Sequence, residues 1–159
     1  TVGMTTIGIR RNPAVEAPGV DYMVGFDSLD DVLQYADVIA MSVPSTPATR
    51  HLLNAERIAS LKPDAIIINA GRGDAIESQA LADALAEGRI HGAALDVTEP
   101  EPLPADSPLW CEPKCLITPH VAGGNHLEIT ERSIISIALG NVRCYVNGQS
   151  LDNRMPIKS

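Results

Sequence analysis

The chain has 159 residues, 45% hydrophobic and 20% charged, which suits one globular domain large enough to build a core. A formal net charge of −8 and only 3% aromatic residues argue against a nucleic-acid partner, by repulsion from phosphate and by lack of a stacking platform. No apolar run approaches the roughly 20 residues of a membrane span, and no basic–apolar leader opens the chain.

Residues 5–9 predict a short strand, residues 21–26 a second, and residues 28–35 a short helix with Asp and Ser near its start. Residues 37–43 (DVIAMSV) form a continuous apolar strand that Pro44 ends. Residues 54–61 are helical, with Asn54 as N-cap and Pro63 just past the end. Residues 64–69 predict the next strand. Residues 78–87 form an amphipathic helix with Leu81 and Leu85 on one face and Gly88 suited to C′. Residues 91–97 predict a strand. Residues 98–114 hold five prolines and predict an extended loop. Residues 115–118 give a short strand and residues 125–147 a long helix.

Strands that are apolar throughout, separated by helices, indicate a parallel sheet covered on both faces, a doubly wound α/β fold. Ligands then bind beyond the carboxyl ends of the strands. The unusual residues gather at those ends: 42–47 (SVPSTP), 69–73 (NAGRG), Asp96 and 119–124 (PHVAGG). Three sparse cysteines, Cys111, Cys115 and Cys144, read as reduced thiols in a cytoplasmic protein. No second Cys/His pair stands at ligand spacing, so no metal is expected.

Arg72, Glu101 and His120 form a chemically coherent set. Arginine offers a planar fork that matches a carboxylate. Histidine transfers protons near neutral pH, and a carboxylate beside an imidazole orients it and favours its charged form. Together they suit reduction of a 2-keto acid, with His120 protonating the carbonyl oxygen. Taken singly, Arg72 equally suits a surface turn, Glu101 a solvated loop, and His120 a loop cap. His51, His91 and His126 read as structural.

The stretch DVIAMSVPSTPATRHLLNAERIASLKPDAIIINAGRGDAIESQALADALAEGRIHGAALDVTEPEPLP, followed by ITPHVAGG, resembles the D-isomer-specific 2-hydroxyacid dehydrogenase family. The segments VPxTPxT, NxxRG, LDVxxxEPLP and TPHxAG occur in the family's order. The resemblance implies a Rossmann-like fold in which Arg72 binds the substrate carboxylate and carbonyl, Glu101 pairs with the histidine, and His120 is the general acid/base. It further implies that Asp96 meets the nicotinamide carboxamide and that Val43, Pro44 and Thr49 lie near the adenosine half. Ala70 and Gly71 offer backbone contacts near the nicotinamide ribose, and Ala122 and Gly123 line the nicotinamide side.

In that fold the strand at residues 5–9 is the second of the sheet, and its end carries an acid when NAD is used. Here Arg10 and Arg11 stand instead. Guanidinium groups attract a 2′-phosphate, so NADP(H) is expected over NAD(H). The expected substrate is a small 2-keto or 2-hydroxy acid, with glyoxylate or hydroxypyruvate preferred because an NADP-type pair fits a reductive role. A homodimer is expected. A corepressor-type binding module on the same fold is the competing reading.

The chain departs from the family in one respect: no G-x-G-x-x-G occurs in it. The resemblance implies that the first strand and glycine-rich turn are missing. Residues 1–124 are then a partial NAD(P)-binding domain, and 125–159 a long helix and a tail returning toward a substrate domain. Alone, such a chain is expected to bind dinucleotide weakly, to lack activity and to associate through its exposed edge.

Overall fold

A computed structural model describes residues 3–15, 17–123 and 127–154. The chain divides into two compact units, Thr1–Pro119 and His120–Ser159.

In the first unit, β1 (Ile7–Ile9) pairs with β2 (Tyr22–Val24) in a two-stranded parallel sheet. A 3-10 turn at Phe26–Ser28 leads into α1 (Leu29–Leu33). The predicted helix at 28–35 is therefore shorter, and Ser28 makes no side-chain cap. A second sheet has the order β3 (Val38–Met41), β4 (Ile66–Asn69), β5 (Gly92–Leu95), β6 (Cys115–Ile117), all parallel. Between its strands run α2 (Ala55–Ala59), α3 (Ser78–Ala86) and a 3-10 helix at Pro108–Cys111 inside the predicted extended loop.

The local signals that set these helices are visible. Asn54 caps α2 by accepting a hydrogen bond from the Arg57 backbone N–H at 2.9 Å. Gly88 follows α3 with a left-handed φ of 67°, the C′ conformation that glycine adopts without a Cβ clash. Arg57 reaches back to α1, bonding both Asp30 oxygens at 2.5 and 3.1 Å. Those bonds hold the Asp30 carboxyl below its ordinary range.

One sheet face is packed. Met41, Ile67, Ala93 and Leu95 share it, and they join Leu33, Ile58, Leu81 and Leu85 from the helices in one buried cluster. On the opposite face Val38, Ile68 and Leu116 are 46%, 38% and 63% exposed. A continuous apolar run reports two faces that tolerate burial, while the cover itself comes from other segments.

The parallel, doubly wound, Rossmann-like sheet lacks its first strand among these residues. The dinucleotide-fold order is 3-2-1-4-5-6. With β1 and β2 in places 2 and 3 and β3 next in place 4, place 1 falls between β1 and β3. A cleft of about 1130 Å³ lies there, lined by Ile7 and Ile9 on one side and by Val38, Ile39, Ala40 and Met41 on the other.

The second unit holds α4 (Glu128–Val146). Its predicted start at Asn125 lies outside the described residues. Leu127, extended at φ −86°, ψ 120°, stands at its N-cap. Ile129, Leu139, Val142, Tyr145 and Val146 on it are more than half exposed. The tail folds onto α4, where the Asn141 side chain accepts from the Asp152 N–H at 2.8 Å and donates to its carbonyl at 3.2 Å. Among the described residues no helix is long and apolar enough to cross a membrane.

Two glycines decide how closely the loops beyond β3, β4 and β5 approach. A Cβ on Gly71 would stand 2.7 Å from the Val43 nitrogen, and one on Gly73 would stand 1.9 Å from the Thr98 carbonyl oxygen. Both neighbours are backbone and cannot yield cheaply. Gly73→Ala is therefore expected to cost on the order of 3 kcal/mol, read as a lower urea midpoint. An unchanged midpoint would show that the two loops separate without penalty.

Candidate functional site

The register aligns the carboxyl ends of β3 to β6, since Met41, Asn69 and Leu95 are successive partners and Ile117 pairs with Leu95. Three of the four predicted strand-end segments thus begin side by side in the first unit.

The turn after β4 is built by Asn69, which is 1% exposed. Its side-chain oxygen accepts from the Gly71 N–H at 3.0 Å, and its amide nitrogen donates to the Arg72 carbonyl at 2.9 Å. A buried amide with both ends satisfied fixes a turn firmly. The backbone at Arg72 is extended, and its side chain is exposed beyond the strand end. Its guanidinium donates to the Gly71 carbonyl at 2.8 Å and forms no ion pair with a carboxylate among the described residues. Sequence reading placed Asn69 in this turn but gave it no role.

The loop after β3 is closed by Thr49, 4% exposed. Its hydroxyl donates to the Pro44 carbonyl at 2.6 Å and accepts from the Thr46 N–H at 2.9 Å. The Thr49 hydroxyl thus organises the loop from within. Ser45 bonds the Asp74 carboxylate, whose other oxygen is buried without a hydrogen-bond partner.

His51 is more engaged than its structural reading foresaw. Its φ is 46°, a left-handed conformation that costs a non-glycine residue roughly 1–2 kcal/mol. Its N–H meets the Asp74 carbonyl at 2.7 Å, and its Nε2 lies 2.7 Å from the Glu99 carboxylate, which Arg50 also approaches at 3.1 Å. Residues 51 and 99 are far apart in sequence and show no shared pattern, so no sequence signal pointed to the pair.

After β5, Asp96 is 8% exposed. Its N–H donates to the Asn69 carbonyl at 2.9 Å, and one carboxylate oxygen accepts from the Thr118 hydroxyl at 2.5 Å. Asp96 therefore links the ends of β4, β5 and β6. Glu101 lies further along on exposed chain. His120, with φ 53°, and Gly123, with φ 75°, belong to the second unit, as does Ala122.

Arg10, Arg11, Val43, Pro44 and Thr49, all predicted to meet the cofactor, line the cleft between β1 and β3. Arg10 donates to the Val15 carbonyl at 3.2 Å. Both guanidinium groups are exposed at the end of β1, a strand that bounds the cleft, and groups of this kind attract phosphate. The glycine-rich turn that carries a pyrophosphate is not among the 159 residues. Among the described residues no group of three or more His, Cys, Asp or Glu side chains is placed to hold a metal. Burial pushes the Cys115 thiol up to about 11, and Cys111 is exposed.

Residues 1–122 match the sequence family described as "D-isomer specific 2-hydroxyacid dehydrogenase, NAD binding domain". The chain is 42% identical over 139 residues to glyoxylate/hydroxypyruvate reductase B of Escherichia fergusonii, covering 87% of this chain and 41% of that protein. It is similar to the crystal structure of a D-isomer specific 2-hydroxyacid dehydrogenase family protein from Aeromonas salmonicida, with TM-score 0.86 and 39% identity, over 97% of this chain and 48% of that one. A D-isomer specific 2-hydroxyacid dehydrogenase from Xanthobacter autotrophicus Py2, solved with NADPH and MES, aligns with TM-score 0.85 and 34% identity over 97% of this chain and 62% of that one. The chain spans half or less of the length of the curated relatives it matches. On the match across residues 1–122, the chain belongs to the D-isomer specific 2-hydroxyacid dehydrogenase family.

Proposed function

We propose that this chain is the cofactor-binding part of an NAD(P)H-dependent reductase of small 2-keto acids, with glyoxylate or hydroxypyruvate as substrate. The observation that carries the reading is Arg72. It leaves the end of β4 exposed, without a carboxylate partner among the described residues, on a turn locked by Asn69 and by the Gly73–Thr98 contact. A guanidinium so placed is a ready fork for a substrate carboxylate.

The family signatures support the remaining roles. His120 donates the proton to the carbonyl oxygen, and Glu101 orients it. The nicotinamide supplies the hydride when bound. Arg10, Arg11, Val43, Pro44 and Thr49 hold its adenosine end, Ala70 and Gly71 lie by the ribose, and Asp96, Ala122 and Gly123 serve the nicotinamide side. The family's description names NAD, while the Xanthobacter relative holds NADPH. The Arg10–Arg11 pair supports NADP(H) for this chain. The proposal extends to a cytoplasmic homodimer and to inactivity of the 159 residues by themselves, which contain no pyrophosphate-binding turn.

The test uses the polypeptide as its gene encodes it, with glyoxylate and hydroxypyruvate, NADPH or NADH, and absorbance loss as the readout. Turnover is expected, and His120→Ala is expected to reduce kcat by roughly 100- to 10,000-fold. No turnover with a panel of 2-keto acids and either cofactor would overturn the reading in favour of a binding module. Arg11→Ala is expected to raise the KM for NADPH about tenfold, the loss of one charge-assisted contact, and to leave that for NADH nearly unchanged. Equal effects on both cofactors would remove Arg11 from 2′-phosphate recognition.

A further inference from the structure

Glu99 has no part in the reading above, yet its carboxylate and its backbone carbonyl are both held. Arg50 Nη2 lies 3.1 Å from one carboxylate oxygen and His51 Nε2 lies 2.7 Å from the other. The backbone carbonyl accepts from the Ser78 hydroxyl at 2.7 Å. One residue thus joins the loop after β5, the turn before α2 and the first residue of α3. The Glu99 side chain is 26% exposed, against 61% for Arg50 and 36% for His51, so the carboxylate is the most enclosed member of the group.

The neighbouring residues are pinned as well. Asp96 is bonded to Asn69 and Thr118, and the Thr98 carbonyl is packed against Gly73. The Thr98 hydroxyl bonds the Pro100 carbonyl at 3.0 Å. Glu101 follows two residues after Glu99. With only Pro100 between them, where Glu99 is held bears directly on where the chain presents Glu101.

We propose that Glu99, gripped by Arg50 and His51, is a positioning residue that sets where the loop presents Glu101. The proposal rests on the reductase reading for the role of Glu101. His51 is suited to its part: its left-handed turn is tied to Asp74 in the same segment as Arg72, so the grip on Glu99 and the placement of the arginine turn share one framework.

The experiment compares Glu99→Ala, Glu99→Gln, Glu101→Gln and the Glu99→Ala/Glu101→Gln double variant in the polypeptide as its gene encodes it. Activity is read as kcat and KM with glyoxylate and NADPH, and loop order by amide hydrogen exchange across residues 98–104. Glu99→Ala is expected to lower kcat roughly 10- to 100-fold, with the KM for NADPH within about twofold and faster exchange across the loop. Glu99→Gln, which keeps the size and one accepting oxygen, is expected to lose less and stands in should the alanine variant fail to fold. If Glu99 acts through Glu101, its removal costs nothing further in the Glu101→Gln background. A fully additive loss, or unchanged exchange in both Glu99 variants, overturns the proposal. If the unaltered polypeptide reduces no 2-keto acid, the reductase reading fails and Glu99 loses its positioning role with it, while the exchange data separately report the grip on the loop.

Discussion

Backbone packs on backbone where Gly73 meets Thr98, and the candidate site depends on that contact. The space left for a side chain is nil, since a Cβ would stand 1.9 Å from the Thr98 oxygen. The contact joins the turn that carries Arg72 to the loop that carries Glu101. Gly71 against Val43 joins the same turn to the loop after β3. Asn69 and Asp96 then fix the strand ends beneath, each buried and each bonded across to a neighbouring segment. The parallel register brings these ends level, and the glycines let their loops close on one another.

A second constraint governs the other side of the unit. β1 and β3 face a common cleft, and among the described residues no strand pairs with either on that side. Open edges and bare apolar faces are unfavourable in water. One parallel strand set between them would close both edges and make the two sheets continuous. The loops beyond the ends of β1 and β3, with Arg10, Arg11, Val43 and Pro44, line the same cleft. Completing the sheet would therefore also enclose these residues from one side.

Much of this was legible in the sequence because its causes are local. Asn54 followed by an apolar helix, Gly88 after α3, and Leu81 with Leu85 on one face each act within a few residues, and each is realised. The order of the strands follows from alternation and from the parallel rule. The features that escaped are long-range or conformational. The Glu99–His51 pair joins separate segments, and the left-handed turn at His51 has no glycine to announce it. The candidate site residues were named from motifs, and the structure adds how Asn69, Gly73 and Thr118 hold the first unit's share of them.

The central claim is that Arg72 leaves its buried strand to hold a carboxylate. The most direct measurement is kcat/KM for glyoxylate in Arg72→Lys, made in the polypeptide as its gene encodes it, with NADPH affinity measured alongside. Lysine keeps the charge but not the planar fork. The account predicts a fall of roughly 100-fold in kcat/KM with NADPH affinity within about twofold, the loss of a bidentate, charge-assisted contact. A near-unchanged kcat/KM would contradict it and leave the arginine at the end of β4 without a substrate to hold.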